Sequence, residues 1–244
     1  MLRELDSTHI VETTAALQRR IDERFEGSGL GKVAKELGDV AREAASVAEW
    51  LGRPIWVLRI LVGLCLALLV GVVCATAGSV SFDGPLNTAQ HLVPFVESLI
   101  NDIVFVGVGI YFLVGVEVRI KRNRAQQALH VLRSLAHIVD MHQLTKDPER
   151  LLFAGSDTPS SPKREMTAFE LTRYLDYCSE ILSIISKIAA LYVQHFRDSV
   201  TSSAAGDLEA LTGGLSRKIW QKIMLLDRLP EPSRTWNQAH PPVE

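Results

Sequence analysis

The stretch IWVLRILVGLCLALLVGVVCATAG, residues 55–78, decides the fold class of this chain. It carries a single charged side chain, Arg59, in 24 positions. A helix rises about 1.5 Å per residue, so a helix of this length crosses roughly 30 Å of hydrocarbon, the thickness of a bilayer core. We therefore predict a first transmembrane helix over residues 54–78.

A second apolar block, residues 94–119, opens with PFVESLINDIVFVG and ends in VGVGIYFLVGVEVR. The polar connection between the blocks, residues 79–93, contains Gly84 and Pro85, which favour a turn. No stretch of the sequence shows the alternating pattern of a strand. The two blocks thus predict an all-α membrane protein built on a two-transmembrane-helix hairpin with a short external loop.

Basic residues near the ends of the two blocks predict the orientation of the hairpin. The connecting loop has no Lys or Arg. Basic residues are instead found on the other side of each block, namely Lys32, Lys35, Arg42 and Arg53 before the first and Arg119, Lys121, Arg122 and Arg124 at the end of the second. Because positively charged flanks stay in the cytoplasm, both termini are expected to be cytoplasmic. We expect a multi-pass protein of the cell inner (cytoplasmic) membrane, embedded in its lipid bilayer.

Residues 1–53 predict cytoplasmic N-terminal amphipathic helices. A weak apolar pattern, Ile10, Leu17, Ile21 and Phe25, precedes a regular one. The regular seam has spacings of three and four residues and consists of Leu30, Val33, Leu37, Val40, Ala44, Val47 and Leu51. Such a seam packs either against helices of its own chain or against a second subunit, and the sequence leaves both choices open.

Residues 120–229 predict a cytoplasmic helical module, so that the flanks together form a helical bundle. Its longest helix is expected over about 168–198, opened by a capping box of Thr167 and Glu170. Its last helix is expected over about 206–228, with a break at Gly213–Gly214. A short helix near 147–155, a linker near 155–166 and a disordered tail over 230–244 complete the prediction. The apolar rows of the long helix are Leu171, Cys178, Ile185 and Tyr192, and Leu175, Leu182, Ala189 and Phe196.

A ridge of small residues runs along the first predicted span. Gly63, Ala67, Gly71 and Ala75 follow Arg59 at intervals of four residues. Small residues at this spacing let another helix approach closely in lipid. The ridge therefore predicts a helix–helix contact.

Two charged residues lie inside the predicted spans near the cytoplasmic side. Arg59 is in the first span and Glu117 is at a comparable depth in the second. Because the spans run antiparallel, the two can meet. We interpret them as a structural ion pair that holds the hairpin together, in preference to part of a gate or ion path.

Three polar residues open the second span. Glu97, Asn101 and Asp102 fall within an arc of roughly 140° on a helix. The first interpretation is that they mark the outer bilayer boundary at a positive helix terminus. The second is that an oligomer arranges them as a ring that attracts cations, because the apolar remainder after Asp102 is short for a full crossing.

The remaining polar clusters give no catalytic residue, no metal site and no cofactor. His130, His137, Asp140 and His142 lack the i, i+4 histidine spacing of a helical metal site. Cys65, Cys74 and Cys178 have no paired spacing, which favours buried apolar roles. The net charge is −2 without a dense basic stretch, so a nucleic-acid partner is not expected.

These patterns favour a non-enzymatic integral membrane protein. The leading expectation is a homo-oligomeric scaffold or interaction protein that presents its helical module to a cytoplasmic protein partner. The alternatives are a small oligomeric ion channel or transport component, with the second span lining the pore, and a membrane signal-relay protein.

Overall fold

Six α-helices account for about 90% of the residues that the computed structural model describes, which are 4–79, 88–146, 148 and 166–227. They are α1 (Ser7–Arg24), α2 (Gly29–Gly52), α3 (Trp56–Ser79), α4 (Thr88–Leu144), α5 (Ala168–His195) and α6 (Ser199–Leu226). No strand occurs among the described residues. The prediction of an all-α helical bundle is therefore confirmed. The short helix predicted near 147–155, nearly all of the linker near 155–166 and the tail over 230–244 lie outside the described residues.

The helices belong to two compact units. One contains residues 1–50 and 125–244, and the other is Leu51–Arg124. The first unit, here called the module, holds α1, most of α2, the C-terminal part of α4, α5 and α6. The second unit, here called the hairpin, holds α3 and the N-terminal part of α4. The helix α4 begins at Thr88, earlier than the predicted start of the second span at 94.

The first two helices of the module form an antiparallel pair. In α1, Ile10, Leu17 and Ile21 are buried, as the apolar pattern predicts. Gly31 of α2 lies so close to α1 that a Cβ atom on it would be 2.6 Å from Asp22 Oδ1. In α2, the predicted seam is buried from Leu30 to Val47, apart from the half-buried Val40. The seam is thus covered by helices of its own chain, which answers the question that the sequence leaves open.

Helix α5 is the central helix of the module. It begins with the predicted capping box, in which Thr167 N donates to Glu170 Oε2 at 2.8 Å and Glu170 N donates to Thr167 Oγ1 at 3.2 Å. Every member of its two predicted apolar rows is buried except Phe196, which is half-buried. Tyr174 and Tyr177 are buried as well, and each makes an edge-to-face contact with Phe25, at centroid distances of 5.5 and 6.3 Å.

The boundary between the last two helices differs from the prediction. Helix α5 ends at His195 and α6 begins at Ser199, because Asp198 caps α6 by accepting from Thr201 N at 3.0 Å. The start predicted near 206 is therefore wrong. The predicted break at Gly213–Gly214 is also wrong, since α6 runs through both glycines to Leu226. Burial of Thr212 and Leu215 on either side holds this segment in the helix.

Contacts along α1 show which helix ends lie together in the module. Leu5, just before α1, donates its backbone N–H to Gln194 Oε1 near the end of α5 at 2.8 Å. Arg20 reaches Glu180 at 2.6 Å, and Phe25, just after α1, reaches Tyr174. Residue numbers rise along α1 while those of the contacted residues fall along α5, so the two helices are antiparallel. The C-terminal end of α5 therefore lies beside the N-terminal end of α1.

Candidate functional site

The hairpin contains a small polar clamp that joins α4 to the segment between α2 and α3. Lys121 Nζ donates to the backbone oxygen of Arg53 at 2.8 Å and pairs with Glu117 Oε1 at 3.0 Å. The same Glu117 oxygen accepts from the backbone N–H of Ile55 at 3.3 Å. The Lys121 side chain is only 9% exposed and that of Glu117 20%. We call Glu117, Lys121 and the backbone of Arg53 and Ile55 the clamp.

The clamp satisfies backbone groups that the break between two helices leaves free. Helix α2 ends at Gly52 and α3 begins at Trp56, so Arg53 O and Ile55 N lie between two helical hydrogen-bond ladders. Glu117 also lies at the N-terminus of α3, where the helix dipole favours a negative charge. Unpaired polar groups at such a half-buried position cost about 1–3 kcal/mol each, so the clamp holds the start of α3 against α4.

Lys121 is the member of the clamp that the sequence interpretation missed. The structure gives Glu117 a salt bridge to Lys121, one helical turn further on, instead of the predicted partner Arg59. Arg59 is exposed, and it acts on the Glu117 carboxylate only by Coulomb attraction at a distance. The i, i+4 spacing of Glu117 and Lys121 is the sequence signal that identifies this pair.

The ridge of small residues faces away from the covered side of α3. Half-buried residues form one stripe along this helix, Leu58, Val62, Cys65, Leu69 and Val73. At about 100° per residue, the ridge Gly63, Ala67, Gly71 and Ala75 lies on the opposite side of the helix, and all four residues are exposed. A Cβ atom on Gly63 or Gly71 would meet nothing within 4 Å. Among the described residues, the two glycines of the ridge therefore border open space.

The polar residues of the second predicted span divide between two sides of α4. Asp102 is half-buried and lies in a stripe with Leu99, Val106, Ile110 and Leu113. Glu97 and Asn101 are exposed and line a cavity of about 440 Å³ together with Val93, Val96 and Ile100. The arc that the sequence predicts thus places its three polar groups in two different surroundings.

Most side chains in the apolar parts of α3 and α4 are exposed, and the others are half-buried. By length and composition these two helices could cross a membrane, and none of the most apolar window of either helix is buried. Large side chains such as Val57, Leu68, Phe105 and Phe112 are between 63% and 77% exposed. The core helix of a water-soluble protein would have the opposite pattern.

Inside the module, the candidate polar residues are dispersed. His130 and His137 are exposed, whereas His142 packs against Gly29 at the start of α2. Asp140 accepts from Gln143 Nε2 at 2.6 Å. Over the described part of the chain, no three His, Cys, Asp or Glu side chains come together in a group that could hold a metal ion.

Cys178 and Tyr174 of α5 are shielded from water. Burial raises the pKa of the Cys178 thiol to about 12 and raises the pKa of the Tyr174 hydroxyl. The ammonium group of Lys146 lies 5.4 Å from the centre of the Tyr174 ring. A thiol that stays protonated at neutral pH is a poor nucleophile, so Cys178 serves the packing of α5, as its place in an apolar row predicts.

Comparison with protein-family models, with curated proteins and with solved structures finds no match to this chain.

Proposed function

We propose that this protein is a non-enzymatic integral membrane protein whose hairpin, α3 and the N-terminal part of α4, spans the bilayer. The observation that carries the proposal is that no residue in the most apolar windows of α3 and α4 is buried. Side chains of this kind are stable only against lipid or protein, since about 25 cal/mol is lost for each Å² of apolar surface left in water. The module buries most of its apolar residues. The hairpin therefore suits a lipid environment, and the module suits an aqueous one.

The orientation that we propose follows from the charges beside the spans. The loop 79–93 has no Lys or Arg, while the flanks 32–53 and 119–124 each contain four Lys or Arg residues. Both termini and the module would therefore be cytoplasmic, and the protein would reside in the inner membrane.

The exposed glycines of the ridge on α3 support a homo-oligomer. Within one chain, α3 is covered on the opposite side, and Gly63 and Gly71 face open space. Small residues in lipid allow a close helix contact, which supplies the van der Waals energy of association. A second copy would use the ridge for this contact.

The module would act as a scaffold for a cytoplasmic protein partner. Its core is closed, yet Val131, Ile138 and Met141 of α4 and Trp220 and Met224 of α6 remain 41% to 69% exposed. Exposed apolar residues that recur on helix faces are typical of protein-binding surfaces. No single partner follows from these residues.

A signal relay is the second candidate, and one observation favours it over a channel. Helix α4 is unbroken from Thr88 to Leu144, and the clamp fixes it to the segment that joins α2 to α3. A channel would instead require Glu97, Asn101 and Asp102 to converge on one axis, whereas Asp102 lies on another side of α4 from the other two.

Mass measurement of the protein in native lipid, followed by ion flux from reconstituted vesicles, tests the proposal. We expect a defined oligomer that remains in the membrane after alkaline carbonate washing and conducts no ions. Release by carbonate would contradict the membrane assignment, a monomer would contradict the oligomer, and ion flux would favour the channel.

A further inference from the structure

Helix α6 packs against the module with one of its sides. Its buried side chains repeat at helical spacing, and they are Thr201, Ala205, Leu208, Thr212, Leu215, Ile219 and Leu226. At about 100° per residue, a second row lies roughly on the opposite side of the helix. The members of this row are all exposed, and they are Gly206, Ala210, Gly213, Arg217, Trp220 and Met224. We call this row the α6 seam, and its spacings of four and three residues are those of helices that pack in pairs.

Residue size changes along the α6 seam. Its first half consists of small residues, and a Cβ atom on Gly206 or Gly213 would meet nothing within 4 Å. Its second half contains Trp220 and Met224, which are 61% and 48% exposed. Exposure alone names no occupant, but this order of sizes does. A second α6 that runs in the opposite direction would lay its large side chains over the small residues of the first.

The charge of α6 changes sign in the same order. The charged side chains are Asp207 and Glu209 within residues 199–213, and Arg217, Lys218 and Lys222 within residues 214–226. The helix dipole does not explain this order, because it acts on the terminal turns. The first turn of α6 has no acidic residue and its last turn has no basic residue. The order of charges therefore favours the same antiparallel partner, in which each acidic half faces a basic half.

Glu209 and Arg217 are the charges nearest to the contact. Both side chains are exposed, and neither has an ion pair with any residue that the structure describes. Eight residues of helix separate them by about 12 Å along the axis, which is too far for a direct ion pair within one chain. The exposed Asp227 follows α6 and lies beyond the last residue of the seam.

We propose that the α6 seam binds a second copy of this chain, with the two α6 helices antiparallel and crossing at Gly213. In this register, Trp220 lies over Gly206 of the second copy. Arg217 lies beside Glu209 of the second copy, and the twofold axis forms each contact twice. A parallel pair would instead place Arg217 beside its own copy. This inference rests on the homo-oligomer of the proposed function and assigns it a contact in the module.

Disulfide formation across the twofold axis tests the arrangement. The experiment uses full-length protein in phospholipid vesicles, with Cys65 and Cys74 replaced by Ala, the buried Cys178 retained, and one added cysteine. Gly213→Cys brings two thiols together at the crossing point. The matched control is Gly206→Cys, which is equally open to solvent but about 21 Å along the axis from its own copy. Under mild oxidation, we expect at least fivefold more covalent dimer from Gly213→Cys.

A charge exchange tests the register in the Gly213→Cys protein. Glu209→Arg should reduce the yield of covalent dimer several-fold, because it faces Arg217 of the second copy. Adding Arg217→Glu should restore most of the yield, since the exchanged charges attract again. The two side chains cannot meet within one chain, so this rescue requires a second copy. Failure of the rescue would overturn the register.

The outcomes separate this inference from the proposed function. Native mass measurement that finds an oligomer, without covalent dimer from Gly213→Cys, would overturn this inference alone. A monomer without covalent dimer would overturn both this inference and the proposed oligomer. Equal yields from Gly206→Cys and Gly213→Cys would overturn the antiparallel contact. Covalent dimer that a carbonate wash releases from the vesicles would support the α6 contact and overturn the membrane assignment.

Discussion

Lys121 donates a hydrogen bond to the backbone carbonyl of Arg53 across 2.8 Å, and this contact joins α4 to the segment between α2 and α3. The two residues are 68 positions apart in the chain. Since Lys121 also neutralises Glu117, the same ammonium group completes both a backbone interaction and a half-buried ion pair. The clamp is therefore the polar feature on which we expect the hairpin to depend most strongly.

Replacing Lys121 with Met should lower the free energy of unfolding of the hairpin by about 2 kcal/mol, because Glu117 and Arg53 O lose a charged partner. Denaturant-induced unfolding in detergent micelles, followed by circular dichroism, measures the change. Lys121→Arg should retain most of the stability.

The swapped variant Glu117→Lys/Lys121→Glu separates the clamp from a simple ion pair. It restores the opposite charges but points a carboxylate at Arg53 O and an ammonium at Ile55 N. We expect it to remain as unstable as Lys121→Met. Full recovery of stability would show that only the charge pairing matters.

The ridge on α3 can be tested without disturbing the chain's own packing. Gly63→Leu and Gly71→Leu place side chains in open space, so the monomer should fold normally, whereas a second copy could no longer approach closely. Native mass measurement should show a shift to smaller species. Gly107→Leu on α4 is the matched control, since a Cβ atom there also meets nothing within 4 Å. An unchanged oligomer in both ridge variants would rule out this contact.

Gly29→Ala should destabilise the module, since the new Cβ atom would overlap the imidazole ring of His142. Overpacking of this kind costs about 1–3 kcal/mol. The double variant Gly29→Ala/His142→Ala should recover the stability of His142→Ala alone in thermal unfolding. If the two substitutions were simply additive, the contact would not be the cause.

Gly213→Ala should raise the stability of the module by about 0.5–1 kcal/mol, because alanine loses less backbone entropy than glycine in a helix interior. The position is inside α6, and a Cβ atom there meets nothing within 4 Å. Gly27→Ala should have the opposite effect, since Gly27 has φ of 68°. A loss of stability in Gly213→Ala would contradict the continuous helix.

Cys178 should resist thiol reagents while the module is folded. Its pKa of about 12 leaves very little thiolate at neutral pH, and the side chain is fully buried. In a variant with Cys65 and Cys74 replaced by Ala, maleimide labelling at neutral pH should require denaturant. Rapid labelling without denaturant would contradict the central position of α5.

The regular periodicities of the sequence predicted the module well. Burial from Leu30 to Val47 and along both rows of α5 follows from spacings of three and four residues, since these residues lie on one face of a helix wherever it packs. The capping box at Thr167 and Glu170 was equally predictable from the sequence, because its hydrogen bonds join residues that are close in the chain. The boundary near Asp198 was missed because apolar residues continue on both sides of the cap.

The polar residues of the hairpin were predicted less well. Arg59 and Glu117 have comparable depths, but depth does not specify the side of a helix that faces its neighbour. The helix contact expected at Gly63 and Gly71 stays a prediction, since nothing in the spacing of these residues indicates which helix would cover them. Periodicity identifies a face, and the partner of that face depends on the remaining chain.

By itself, the sequence determined the helical class of this protein, its two long apolar segments and the buried faces of its module, because these follow from local spacing and hydrophobicity. Only the tertiary structure decided that Lys121 binds Arg53 and Glu117, and that the ridge of α3 is left uncovered. Those outcomes depend on how α3 is rotated about its axis when it packs, and that rotation is set by the sum of many weak contacts between residues far apart in the chain.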